Sequence, residues 1–192
     1  MTTTALYLRT VDAQHRSHGG FQWPTSVGAE VVAPDWDPRP VCGNGLHGLR
    51  WGEGRAELLS LAPTAVWQVV EAADVDAVDL GGKHKFSRCV LRYIGDRAGA
   101  AAYILANGGA GRACAYAVVT AGDDGTATAG VGGAATAGVG GTATAGAGGT
   151  IVIAWVDAGR RRLAVGYVGE AGIEAGVAYA LVGGRFAATD PA

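Results

Sequence analysis

From Val118 to Asp157 small apolar and polar residues alternate in a rhythm that repeats every eight positions: VVTAGDDG, TATAGVGG, AATAGVGG, TATAGAGG, TIVIAWVD. Side chains along a strand point alternately to opposite faces. Extended, this stretch therefore sends Ala127, Ala129 and Val131 to one side and Thr126, Thr128 and Gly130 to the other. The sets Ala135, Ala137, Val139 and Ala143, Ala145, Ala147 repeat the first side. Threonine favours strands and Gly-Gly favours turns, so each octad reads as a short strand and a corner. The corners fall at Gly132-Gly133, Gly140-Gly141 and Gly148-Gly149. A constant short period of this kind predicts a β-solenoid, with two octads per coil because one is too short to enclose a core.

Energetics demand that such a coil be closed at its ends. Burying an alanine methyl contributes ~0.8 kcal/mol, whereas ordering one backbone residue costs ~1–2 kcal/mol, and glycine loses still more entropy. In the last octad the inward places pass to Ile151, Ile153 and Trp155, which read as a plug.

Elsewhere the pattern predicts strands at Ala5–Thr10, Val27–Ala33, Ala65–Glu71 and Phe86–Ile94, and a short helix at Leu49–Leu61 broken by Gly52 and Gly54. Asp96 stands at an N-cap position before the Ala-rich run Arg97–Asn107, which Gly108-Gly109 ends, so a second helix is expected there. Ile151–Val156 and Arg161–Val168 flank Ala158-Gly159 as a hairpin, and Ala178–Leu181 with Arg185–Ala187 form another around Gly183-Gly184. Together these give an α+β N-terminal module (1–117), an octapeptide-repeat β-solenoid (118–157) and a β-hairpin C-terminal cap (158–192).

A net charge of −2 supplies no field that favours nucleic acid or anionic lipid. Three widely spaced cysteines make no disulfide framework. No run approaches the ~20 apolar residues of a membrane-spanning helix, and the N-terminus lacks the apolar core of a signal peptide. These features lead one to expect a soluble protein of a reducing compartment. Arg160-Arg161-Arg162 reads as the charged guard of an exposed strand edge, in preference to a phosphate site.

The segments SHGGFQWP (17–24), APDWDPRPVCGNGLHGLRWGEG (33–54) and GYVGEAGIEAG (166–176), with VWQVVEA and KFSRCVLRYIGD between them, resemble an uncharacterised family of phage and prophage proteins. That resemblance implies a mobile-element origin, a cytoplasmic setting in a host bacterium, and no transferable activity. The expected role is then a binding or assembly protein whose repeat packs against another copy or a protein partner, since the stretch from Gly125 to Val156 carries no charge.

Three chemical alternatives arise. LYLRT with Arg9, GNGLHGL with His47 and WQVVEA with Glu71 resemble ADP-ribosyltransferase-like folds, which would imply NAD held by Arg9 or His47 and a ribose hydroxyl polarised by Glu71. The Ser-Thr-Ser strand and Glu-x-Glu loop of those folds are missing. His18, His47 and Trp51 are candidates for lining a pocket. Cys42, His47, His84 and Cys89 offer a thiolate and imidazole set for zinc, although Cys89 reads more simply as a buried apolar residue. Finally, two octads per coil would stack Thr126/Thr128 over Thr142/Thr144. Such T-x-T ladders resemble the ice-binding faces of some antifreeze solenoids. Two rungs make a small face and Ala134 interrupts the pattern opposite, so the preferred reading takes these threonines as ordinary soluble strand formers.

Overall fold

The computed structural model describes residues 3–189. The chain divides into two compact units, Met1–Ala110 and Gly111–Ala192.

The first unit is α+β. Strands β1 (Thr4–Val11), β2 (Glu30–Val32), β3 (Leu46–Arg50), β4 (Val66–Ala73), β5 (Ala77–Asp79), β6 (His84–Phe86) and β7 (Arg88–Gly95) form one sheet in the order β2-β7-β4-β1-β3-β6-β5. Every pairing is antiparallel. One face gathers Ala5, Tyr7, Val11, Val70, Ala72, Cys89, Leu91 and Phe86 into a core with Trp23 and Val31. On the other face Tyr93, opposite Val69 in the register, meets Tyr103 of helix α1 (Arg97–Ile104) at 5.9 Å. The Asp96 carboxylate accepts the Gly99 N–H at 2.7 Å and so caps that helix. Past Ile104 the chain widens into a turn at 105–109, with Gly108 at φ 104, so the helix ends earlier than the composition suggests.

The helix expected at Leu49–Leu61 is absent. Leu46–Arg50 is strand β3, and only a single 3-10 turn forms at Ala56–Leu58. The reason is local. A Cβ on Gly48 would stand 2.8 Å from that of Tyr7, so the glycine lets β3 lie close along β1. Trp51, Gly52 and Gly54 then take positive φ, which a right-handed helix cannot use.

The second unit is a solenoid-like repeat region. Its strands are β8 (Val118–Thr120), β9 (Thr126–Thr128), β10 (Ala134–Ala137), β11 (Thr142–Thr144), β12 (Thr150–Asp157), β13 (Arg160–Tyr167), β14 (Ala178–Val182) and β15 (Arg185–Ala188). They build two four-stranded sheets, β13-β12-β10-β8 and β15-β14-β11-β9. Ala134 pairs in parallel with Val118 on one side and Thr150 on the other, and Thr142 pairs with Thr126, so each rung lies sixteen residues from the next. Ala127, Ala129, Ala135, Ala137, Ala143 and Ala145 are all at most 1% exposed.

Three of the expected inward residues do not go inside. Val131 and Val139 are half-buried and Ala147 is exposed, because the chain turns before the sixth place of the octad and strand alternation no longer applies. Trp155 is likewise half-buried, so of the three expected residues only Ile151 and Ile153 enter the plug, which Ile173 and Tyr179 complete.

Stacking in parallel stops at those isoleucines. The chain doubles back through Ala158 (φ 46) and Gly159 (φ 77), so β13 runs antiparallel to β12, and β14 runs antiparallel to β11. Two consecutive positive-φ residues are what a type I′ hairpin turn requires. At the other end one more half-coil precedes the recognisable repeat. The Gly130 N–H reaches the Cys114 carbonyl at 2.9 Å, and the Tyr116 N–H reaches that of Val131 at 2.8 Å. No Gly-Gly pair marks that half-coil in the sequence. Of the arginine run on edge strand β13, Arg161 pairs with Asp123 at 3.1 Å and Arg162 with Asp157 at 2.8 Å. Among the described residues no helix is long and apolar enough to cross a membrane.

Candidate functional site

The repeat presents its most regular surface on the sheet containing β9 and β11. Because the coils stack in register, the same octad place recurs on adjacent strands, so Thr126 lies beside Thr142 and Thr128 beside Thr144. The hydroxyls of Thr126 and Thr142 stand 3.1 Å apart and share a hydrogen bond. Strand geometry sets the grid, ~4.8 Å between rungs and ~6.7 Å along each rung. Threonine is β-branched and stiff at χ1, so each rung offers a methyl and a hydroxyl in nearly fixed positions. The opposite sheet is mixed. Its first place carries Val118, Ala134 and Thr150, and its third carries Thr120, Thr136 and Val152.

The candidate residues of the first unit do not assemble as the sequence suggested. Arg9 faces Gln68 across β1 and β4, whereas Glu71 faces Leu6. Leu6 and Arg9 are an odd number of residues apart on one unbroken strand, so Arg9 and Glu71 occupy opposite faces of the sheet. They cannot flank one ribose. Glu71 is instead tied within the sheet, accepting from the Thr4 hydroxyl and from Arg92 Nε, each at 2.6 Å. The Thr4 hydroxyl, with Arg92 behind it, holds the Glu71 carboxyl below the usual carboxylate range.

The zinc set fares similarly. His47 pairs with Lys85 and Gly48 with His84, so the two imidazoles point to opposite faces of the β3–β6 pair. The Cys42 thiol takes a hydrogen bond from Lys83 at 3.0 Å, which lowers its pKa. Cys89 pairs opposite Val31 on β7, and burial pushes its thiol up to about 12. Among the described residues no group of three or more His, Cys, Asp or Glu is placed to hold a metal ion. His18 is exposed in a turn and Trp51 packs half-buried against the core. Two clefts of ≈ 410 and ≈ 470 Å³ lie in the second unit, lined by residues such as Ile173, Tyr167 and Arg185, and include none of His18, His47 or Trp51.

The GNGLHG segment instead serves as a strap over buried charge. Lys85 is fully buried and donates to the carbonyls of Val41 at 2.9 Å and Gly43 at 3.4 Å, while Asp35 accepts the Gly45 N–H at 3.0 Å. Burial, reinforced by Lys83, Arg9 and Lys85, pulls His47 down from 6.5 to about 4. The unfolded chain then takes up that proton first as pH falls. Stability from neutral His47 is therefore complete above about 6.5 and is lost as pH drops from there through about 4. Allowing for partial exposure, we expect about 2 kcal/mol of stability to vanish between pH 7.5 and 4 on this account. Urea midpoints across that range should fall more steeply for the wild type than for His47→Gln; parallel curves would show that His47 is not responsible.

No family model matches the chain, and no solved structure matches it. Curated relatives do. The chain is 38% identical over 104 residues to an ice nucleation protein of Pseudomonas syringae, an alignment covering 53% of this chain and 8% of that protein. It is 36% identical over 104 residues to an ice nucleation protein of Xanthomonas campestris pv. translucens, covering 53% and 6%. It is 37% identical over 102 residues to ice nucleation protein InaU of Pantoea ananas, covering 52% and 10%. The chain thus spans at most a tenth of the length of these relatives. These similarities overturn the phage and prophage resemblance. With it fall the expected assembly role of a phage-derived protein and the cytoplasmic setting, which rested on that origin. They also leave no support for an NAD-using enzyme, whose two key residues the sheet already separates.

Proposed function

We propose that the repeat unit acts on ice, its T-x-T face ordering water in a lattice-like layer. The observation that carries this reading is the in-register stacking of Thr126 on Thr142 and of Thr128 on Thr144 on an uncharged surface. Fixed hydroxyls hold water by hydrogen bonds while the methyls between them keep it from hydrating a charge. The ~4.8 by ~6.7 Å grid is of the order of the oxygen spacings on faces of ice. The name of the relatives supports the same chemistry. A rung repeated in register makes a surface, which scattered threonines do not.

In this reading 118–157 is an octapeptide-repeat β-solenoid that the half-coil at 113–117 begins and 158–192 closes, and the α+β module ends before Gly111. Self-association follows as the means of enlarging the face, because an ice embryo is stabilised in proportion to the area that templates it. Both sheets offer edges for it, β8 and β13 in one and β9 and β15 in the other.

The test is droplet freezing of the full chain, read together with the shape and growth of single ice crystals in its solution. Droplets should freeze warmer than buffer, or crystals should facet as their growth is pinned. Thr128→Lys with Thr144→Lys should abolish the effect while leaving the circular dichroism spectrum intact, because these side chains point outward. Buffer-like freezing together with unaltered crystals from the wild type would refute the reading.

A further inference from the structure

The first unit holds a polar cluster that the ice reading does not use. Arg9 is 7% exposed, in the middle of a sheet whose surrounding face is apolar. Its guanidinium lies 3.5 Å over the Trp23 ring and donates one hydrogen bond, from Nη1 to the His47 carbonyl at 3.0 Å. Its Nε has no partner. Opposite it in the register stands Gln68, with none of its surface exposed and neither amide atom bonded. Trp23 is 1% exposed and its indole N–H is also unpartnered.

Two debts arise here, one of hydrogen bonds and one of charge. An unsatisfied buried polar group costs ~1–3 kcal/mol, and buried cations in folded proteins are paired. The charged group that most affects Arg9 is Cys89, and burial pushes that thiol up to about 12, so near neutral pH it is uncharged. Burial pulls Arg9 itself down only to about 9, so it remains a cation. Lys85 meets its need differently, through two carbonyls of the strap, and its strand pairs on the far side of β3. Left over are three donors, a guanidinium N–H, an indole N–H and an amide NH2, against one acceptor, the Gln68 amide oxygen. All three want an acceptor, and the guanidinium also wants negative charge. A water supplies the first and not the second. Burial would penalise a multiply charged ion most.

We propose that Arg9, Trp23 and Gln68 form a buried receptor for one small monovalent anion, a halide or a single carboxylate group. The ion accepts from Arg9 Nε, Trp23 Nε1 and the Gln68 amide and balances the Arg9 charge. This site is independent of the repeat and would stand or fall separately from ice activity.

Crystals of the full chain grown in sodium bromide should show an anomalous peak against Arg9 Nε, and sodium formate should place a carboxylate there. In solution, chloride or formate should raise Tm over gluconate at equal ionic strength, by about 3–6 °C at tenfold excess over Kd. Gln68→Leu, which keeps the shape of the strand, should remove both the peak and the rise. A refined water with no bromide peak, or equal Tm in chloride, formate and gluconate, would overturn the proposal. The wild-type diffraction measurement decides the matter even where Gln68→Leu fails to fold.

Discussion

Ile151→Ala combined with Ile153→Ala is expected to melt the C-terminal end of the repeat unit while leaving the first unit folded. Both side chains are fully buried and sit on the inward places that alanine holds one coil earlier, at Ala135 and Ala137. Each truncation of a buried isoleucine to alanine costs ~2–5 kcal/mol. The two sites share neighbours, so the pair is not additive and about 5 kcal/mol is a fair expectation. That is a large part of the ~5–15 kcal/mol available to a typical domain. The cavity also undermines Ile173 and Tyr179, which close the end with them. Loosening β13 and β14 uncovers the edges of β12 and β11, and free edges recruit other chains. The readout is urea unfolding by circular dichroism together with light scattering. We expect a separate early transition and a rise in aggregation; an unchanged single transition would mean that the end is closed by something other than these isoleucines.

The second large effect concerns glycines that look interchangeable in the repeat. Gly138→Ala should destabilise the unit by about 3 kcal/mol, whereas Gly148→Ala should change it by less than about 1 kcal/mol. A Cβ on Gly138 would drive into the backbone of the coil below, at Asp123 and within 2.5 Å of the Gly122 carbonyl carbon. Backbone on a neighbouring rung cannot swing away as a side chain can. Gly148 meets nothing within 4 Å, and its φ of 64 imposes only left-handed strain, partly offset by the lower entropy of an unfolded alanine. Melting the two variants side by side checks the ranking. Equal losses would mean that corner strain, and not close approach between coils, sets the need for glycine.

The two ends of the chain differ in how much of their structure could be read in advance. In the repeat, a rung is a local event. Thr126–Thr128, Gly132-Gly133 and the next copies each specify strand and corner within one octad, so periodicity exposes the coil. The half-coil at 113–117 is not legible in the sequence, because AGRACAYA keeps the frame without the glycine pair. Strict alternation sends Val131, Val139 and Ala147 inward, but the strand stops before them and the alternation ends with it. In the first unit the helix expected from Leu49 gives way to the end of β3, since the reason Leu46–Arg50 is extended lies in Tyr7 and β1, some forty residues away in the sequence.

What the sequence determined by itself is therefore the solenoid-like repeat region, whose buried alanines, strand threonines and corner glycines are set by interactions within a few residues. The capped start of the helix at Arg97, though not its end, and the two C-terminal hairpins belong to the same class, since their signals are equally short-range. Only the tertiary structure decided which faces share a site. It set Arg9 and Glu71 back to back, parted His47 from His84, and brought Arg9, Trp23 and Gln68 together. The physical reason is that strand pairing is non-local. A register offset by one residue moves every side chain to the other face, and nothing within a strand's own few residues records which register its distant partner will choose.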